Sequence, residues 1–457
     1  MIIKKNIHKA FYLFLFSHLI LWTLIPTLSN VNLPLDTIEA LAWGSNLDWG
    51  FNKHPPFSAF AVEFFFIIFG NSDWAYYLLS QIFVLVAFYF VWKISNELLE
   101  DKLLALLSVF LLSGIYFYNF TTPEFNVNVS QLPFWALSVY FFWRGINLNK
   151  NLDWILFGIF SAFGFLSKYL FIYILLALFI FFVFNYKKYR ESLNGYLLSI
   201  FISLILLTPH FFWLFENEFI TIFYGLDRSG VSEFNYIDHF KNPIIFLVKQ
   251  SIILIPFLMM SSVILKRLKF SINKKNKKIV FLLSINLIPI ALILFTSILT
   301  GAEIRTMWMT PFYLFLGVLL IQISGEFLKR NNLKRFLVTF VIFFILSPAS
   351  YLYISFSNEF KRTDYPGKEI ADLVQRRWDR NFNNEISIVV GDEWYAGNLS
   401  YHLSTRPTWF NTIENNLSLI TSETGVIYTG NPNILKKSCP GIYGTIKPIG
   451  ICMIGAK

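Results

Sequence analysis

A chain otherwise poor in charge carries a few ionisable residues whose types suit chemistry on a phosphorylated substrate. Asp36 lies in Leu-Pro-Leu-Asp-Thr-Ile-Glu-Ala, and Lys53 and His54 open Lys-His-Pro-Pro. Glu124 sits in Thr-Pro-Glu-Phe-Asn, and Glu303 and Arg305 in Gly-Ala-Glu-Ile-Arg-Thr-Met-Trp. Lys168, His210 and Arg228 complete the set. A carboxylate can take a proton from a hydroxyl as general base. Arg holds a phosphate bidentately, and Lys holds one as a point charge near a helix start. Each residue also has a plainer role. Asp36 can be the N-cap of a helix over 37–45, Lys53 a lysine snorkelling to headgroups, Glu124 a solvated turn residue and His210 a satisfied interfacial histidine. No HExxH, no Cys/His cluster and no DxD in the loops marks a metal site, and no glycine-rich phosphate loop marks a nucleotide.

The elements that must position these groups follow from composition. The 457 residues are 55% hydrophobic and 14% charged, with a mean hydropathy of +0.55. Soluble domains carry about 25% charge, so a polytopic membrane protein is expected, and disordered and collagen-like classes are excluded. Eleven apolar runs approach the roughly 20 residues of a crossing helix: 9–29, 74–94, 103–120, 129–147, 154–167, 169–186, 195–215, 243–265, 279–299, 307–325 and 335–355. Lys168 divides two of them, and a turn at Ser167-Lys168-Tyr169 is the reading that keeps the basic clusters on one side. Those clusters, Lys4/Lys5/Lys9, Lys187/Lys188/Arg190, 266–278 and Lys329/Arg330/Lys334/Arg335, then all face the cytoplasm, as the positive-inside rule requires. The net charge of +10 thus belongs to membrane orientation, and no nucleic-acid partner is expected. All nine candidate site residues fall on the opposite, outer side.

The expected domains are a membrane part, 1–355, and an outer α/β domain, 356–457. The first outer loop, 30–73, contains the apolar stretch 57–69, too short to cross and suited to lying in the interface. In the tail, 367–379 reads as helix, Ile386 to Val390 as a strand, 394–403 as a short helix, Gly425 to Tyr428 as a second strand and 441–454 as a hairpin. Cys439 and Cys452 are both there. A bridge, worth roughly 3 kcal/mol, and two free thiols are both open readings.

The order of these segments resembles the GT-C glycosyltransferases, and more narrowly the bacterial family 39 and family 83 group of protein mannosyltransferase-like and lipid A aminoarabinose transferase-like enzymes. The residues that carry the resemblance are Leu35-Asp36, Trp49-Gly50 through Lys53-His54-Pro55-Pro56, Thr122-Pro123-Glu124, Leu166-Ser167-Lys168-Tyr169, Pro209-His210, and Arg305 with Trp308 and Pro311. Gly391-Asp392 and Ala396-Gly397-Asn398 in the tail are similar to one bacterial branch. The resemblance implies a polyprenyl-phosphate-sugar donor, an acceptor reached from the periplasmic face of a bacterial inner membrane, and inversion at the sugar C1. The acceptor expected first is lipid A or another glycolipid, and a protein or polysaccharide second. Asp36 and Glu124 are the expected catalytic carboxylates. Lys53, Arg305 and Lys168 are expected at the donor phosphate, and His54, His210, Arg228 and Glu303 about the substrates. Many members have Asp-Glu where this chain has Asp36-Thr37, a departure that bears on any role for a divalent metal. A flippase for lipid-linked sugars is the rival class. It would want charges or broken helices at the bilayer midplane, where these runs are nearly charge-free.

Overall fold

The computed structural model describes residues 6–231, 235–265, 273, 275–324, 332–358, 360–412 and 423–457. Lys4, Lys5, residues 266–272, Lys274, Lys329 and Arg330, on which part of the orientation argument rests, lie outside them.

Every expected apolar run is helical, α or 3₁₀, over most of its described residues. In chain order the helices are α1 (Ile7–Ser29), α2 (Leu35–Gly44), α3 (Phe57–Phe69), α4 (Asp73–Leu99), α5 (Lys102–Phe110), α6 (Leu132–Leu148), α7 (Asn151–Ser167), α8 (Ile172–Phe184), α9 (Leu193–Glu216), α10 (Ile220–Arg228), α11 (Asp238–Ile253), α12 (Ile255–Ile264), α13 (Lys277–Thr300), α14 (Leu316–Ser324), α15 (Leu333–Ser357), α16 (Gly367–Asp379), α17 (Tyr395–His402) and α18 (Pro432–Ser438). Among the described residues, five helices are long and apolar enough to cross a membrane, and seven if two pairs bent by 50° each count as one span. The count of eleven is therefore not reached on length and composition. The remaining apolar helices are 9 to 17 residues long, about 14–26 Å at 1.5 Å per residue. The run 103–120 breaks after Phe110 into 3₁₀ turns. Lys168 does end a helix: its backbone is extended, φ −165° and ψ 136°, between α7 and a 3₁₀ turn leading into α8.

The tail forms a five-stranded sheet in the order β2-β1-β3-β5-β4, with β1 (Ile386–Val390), β2 (Thr408–Phe410), β3 (Gly425–Gly430), β4 (Ile442–Ile446) and β5 (Ile449–Ile454). The first three are parallel, and β5 runs antiparallel to β3 and β4. Strand β2 and helix α18 had no reading from the sequence, because three residues and seven residues are too short to show a period. Cys439 and Cys452 are bridged, with Cys452 in β5. The sheet is not a separate body. Ile370, Val374, Val389 and Tyr401 belong to the same buried apolar cluster as residues of α1, α2 and α4. Helix α17 lies against α2 so closely that a Cβ on Gly397 would stand 3.1 Å from the Ala42 Cβ and 3.2 Å from the Ile38 Cγ2.

Candidate active site

Helix α2 starts two residues earlier than expected. Pro34, with extended backbone, occupies the cap position, and Asp36 falls in the first helical turn. The N-cap role is thereby excluded for Asp36. A carboxylate in the first turn is instead favoured by the exposed N–H groups of the helix end. Glu39, three residues on, stands on the same face.

The turn carrying Glu124 is tied to this start. The Asp36 backbone N–H donates to Glu124 Oε1 at 3.1 Å, and the Thr37 hydroxyl donates to the Phe125 carbonyl at 3.1 Å. Helix α4 holds the turn from below: Ser80 Oγ and Gln81 Nε2 both donate to the Thr122 carbonyl, at 2.5 and 3.2 Å. Asn126 caps the short helix Val127–Ser130, which presents Asn128. Lys168 Nζ donates to Asn128 Oδ1 at 2.5 Å and lies 5.3 Å from the Trp308 ring centre.

These elements surround a cavity of about 600 Å³, whose lining includes Asp36, Glu39, Lys53, His54, Asn128, Lys168, Tyr169, Arg228, Trp308 and Arg362. Five of the nine expected residues thus meet in one space: Asp36, Lys53, His54, Lys168 and Arg228. The other four stand outside the lining. Glu124 is behind α2, on the Asp36 amide. His210 is buried on α9, its Nδ1 2.5 Å from the Trp49 carbonyl oxygen and its Nε2 2.9 Å from the Tyr169 hydroxyl. A carbonyl only accepts, so Nδ1 carries the proton and Nε2 accepts from Tyr169. His210 therefore fixes a cavity residue and the Trp49-Gly50 turn. Gly50 is required at that turn, because a Cβ there would lie 2.3 Å from the Trp213 ring. Arg305 reaches the Arg228 carbonyl with Nη2 at 3.4 Å and Glu303 at 3.6 Å, so this pair braces the Arg228 segment.

Three charged residues of the site carried no role in the sequence reading. Glu39 was legible, since i, i+3 spacing puts it beside Asp36 on a helix. Glu393 and Arg362 were not, because both come from the tail, more than 300 residues from Asp36 in sequence, and no local pattern marks them. Lys53 bridges the first two acids: Nζ lies 2.9 Å from Glu39 Oε1 and 3.1 Å from Glu393 Oε1.

The electrostatics follow from burial. Burial raises the Asp36 pKa, while Lys168, a hydrogen bond from Asn126, Lys53 and Arg362 oppose the rise. Burial, with the Asp36 charge added, pushes Glu124 up to about 8. Burial and their mutual repulsion thus disfavour ionisation of both carboxyls at once. Glu39 is raised by burial to about 6 against the pull of Lys53. Burial, with Lys168 and Lys53 nearby, lowers His54 to about 3, which keeps it neutral. Burial works against the Lys53 charge, but Glu39 and Glu393 outweigh it and raise its pKa. Burial lowers Lys168 to about 7 against the pull of Asp36, so the arrangement sets Asp36 among basic groups and a neutral imidazole, with Glu39 and Glu393 paired to Lys53. Among the described residues no three His, Cys, Asp or Glu side chains converge as a metal cage. Thr37 is hydrogen-bonded to the Phe125 carbonyl and Glu124 to the Asp36 amide, and the second acid of the cavity, Glu39, is paired with Lys53.

The family model described as dolichyl-phosphate-mannose-protein mannosyltransferase matches residues 53–213. A comparison with curated protein sequences gives no match. Among solved structures, ArnT from Cupriavidus metallidurans bound to undecaprenyl phosphate superposes with a TM-score of 0.64 at 12% identity, over 98% of this chain and 99% of that one. The same protein in the apo state gives 0.66 at 11% identity, with the same coverage of both chains. The oligosaccharyltransferase AglB from Archaeoglobus fulgidus gives 0.46 at 12% identity, over 91% of this chain and 69% of that one. The chain is a multi-span membrane protein that shares the fold of ArnT along nearly its whole length, and residues 53–213 match the dolichyl-phosphate-mannose-protein mannosyltransferase family model.

Proposed function

We propose that the protein is an inverting glycosyltransferase that moves a sugar from a polyprenyl-phosphate-sugar donor to an envelope acceptor, lipid A or another glycolipid. The observation that carries this reading is the meeting of Asp36 with Lys53, Lys168, Arg228 and Arg362 around one cavity. Its size, about 600 Å³, lies within the usual range of roughly 300–1,000 Å³ for small-ligand sites. In the reaction the acceptor oxygen attacks C1 of the sugar and the C1–O bond to the donor phosphate breaks. The acceptor proton passes to Asp36, and the leaving phosphate takes the bonding electron pair. The cations of the wall offset the charge that grows on that phosphate. Glu124 holds the Asp36 backbone and, being largely protonated, lets Asp36 carry the pair's negative charge. His54, neutral, is a hydrogen-bonding group for the sugar, and Glu303 and Arg305 support the rim. If the acceptor is itself a phosphate it needs no base, and Asp36 then orients it or balances positive charge at C1. Helix α3, apolar and beside the cavity wall, suits the floor of a groove for the donor's lipid tail. The enzyme is read as an inner-membrane protein with this cavity on the periplasmic side, from the bias of its basic loops.

A protein acceptor is the second reading, favoured by the description of the matching family. The test is mass spectrometry of envelope lipids and glycoproteins from cells with and without the gene, and with Asp36→Ala. Loss of one sugar mass from lipid A in both the deletion and the variant is expected. Loss from a glycoprotein instead selects the second reading, and unchanged glycolipids and glycoproteins in the Asp36→Ala strain overturn the site.

A further inference from the structure

Lys53 is held by more negative charge than one ammonium needs. Glu39 on α2 and Glu393 from the tail both reach its Nζ, and Asn52 Nδ2 also donates to Glu393 Oε1, at 3.2 Å. Glu393 is 8% exposed, and its position is built with care. Gly391, at φ +144°, follows β1, and a Cβ there would lie 2.0 Å from Thr429 Oγ1. Asp392 Oδ1 then accepts from the backbone N–H groups of Trp394 and Tyr395, both at 2.9 Å. The residue between these two anchors is the one aimed at Lys53.

A strut between tail and membrane part would explain such a pair, but that task is already done elsewhere. Arg406 pairs with Glu63 at 2.7 Å and donates to the Leu41 carbonyl at 2.6 Å. The Trp409 backbone N–H donates to Ser45 Oγ at 2.9 Å, and Gly397 seats α17 on α2. Unlike these contacts, the Glu393 pair lies at the cavity wall, because Lys53 and Glu39 line the cavity.

We infer that Glu393 is a positioning residue by which the tail holds Lys53 back from the lipid-phosphate subsite and draws it back to its acids as the product phosphate departs. The inference rests on the proposed donor chemistry. Two carboxylates on one ammonium leave a net negative charge facing an incoming phosphate. Donor binding must draw Lys53 away from at least one of them. The released lipid monophosphate, more negative than the phosphodiester donor, is expelled as Lys53 returns to its acids. The C-terminal domain in this way sets how tightly the cavity keeps its product.

The test measures binding of undecaprenyl phosphate to the purified full-length protein in detergent, together with steady-state transfer. Glu393→Gln keeps the shape and both hydrogen bonds and removes the charge. It is expected to tighten undecaprenyl phosphate binding about tenfold, the scale of one partly screened charge. KM and kcat are both expected to fall, because release becomes slow. Glu393→Asp, which keeps the charge, returns the affinity toward that of the wild type. In a Lys53→Met background Glu393→Gln changes nothing. A merely structural role loosens binding and lowers activity together. Unchanged or weaker binding in Glu393→Gln, or tightening that survives Lys53→Met, overturns the inference and leaves the proposed function standing. Wild-type protein that binds no undecaprenyl phosphate overturns both.

Discussion

The two ends of helix α7 make opposite use of charge. At its start, Asp153 is buried and accepts from Arg144 Nε at 2.7 Å, and Arg144 also lies 5.6 Å from the centre of the Tyr140 ring. That pair closes the turn between α6 and α7 by direct contact of the two charges. At the other end, Lys168 is buried too, but neutral groups hold it, Asn128 and the Trp308 ring. Burial lowers its pKa to about 7, and Asp36 opposes this from across a cavity. Both ends place an ionisable side chain where an apolar helix meets the membrane surface, so sequence position does not separate them. The difference is whether the opposite charge is in contact or set back around a space a ligand can enter.

If this contrast is right, the largest effect comes from the open end. Asp36→Asn is expected to lower the transfer rate by about 10²–10⁴-fold, the usual contribution of a positioned base, while undecaprenyl phosphate still binds in a filter or calorimetric assay. Loss of binding in step with activity would make Asp36 a structural residue. Lys168→Met should be next, lowering kcat/KM by roughly 30-fold or more, since removing one member of a buried charged set costs about 2–5 kcal/mol. Its rate, measured at fixed donor, should fall with Tm unchanged or raised, because a buried ammonium is replaced by an apolar chain.

A pH profile sharpens the comparison further. Asp36 serves as base only when ionised, and burial raises its pKa. Activity is therefore present above that raised value and lost as pH falls through it. The acid limb of kcat/KM should lie above the ordinary aspartate value of about 3.9. Arg362→Met removes one of the charges that oppose the rise, so its limb should move to still higher pH. A limb at or below the ordinary value, or one unmoved by Arg362→Met, would detach the profile from Asp36. The smallest effect on catalysis belongs to the closed end. Arg144→Met should reduce stability by about 1–2 kcal/mol, a half-exposed cation leaving a buried acid, read as a lower Tm. Turnover of the remaining folded enzyme should stay near that of the wild type.

Part of this was legible in the sequence because it depends on local chemistry alone. An apolar run must be helical in lipid, where every backbone N–H and C=O needs a partner within its own segment, and each expected run is helical over most of its described residues. Lys168 breaks a run because its ammonium cannot stay in hydrocarbon. The tail's strand Ile386–Val390 and the helix Gly367–Asp379 carry their own periods and were placed to the residue. Asp36, Lys53, His54 and Lys168 could be singled out because an ionisable group beside a membrane span is unfavourable unless it has a use.

Tertiary structure alone decided which of the candidate charges share a cavity. His210 and Arg305 look as functional in sequence as Lys168 does, yet one orients Tyr169 and the other supports a backbone carbonyl. Arg362 and Glu393 look like ordinary surface residues of a soluble tail, yet one lines the cavity and the other holds a cation of its wall. The physical reason is the range of the forces involved. Helix formation and membrane partition are settled within about 20 residues of chain. Whether a charge is paired, shielded or open to a ligand depends on groups a few ångströms away in space, and here these come from segments hundreds of residues apart.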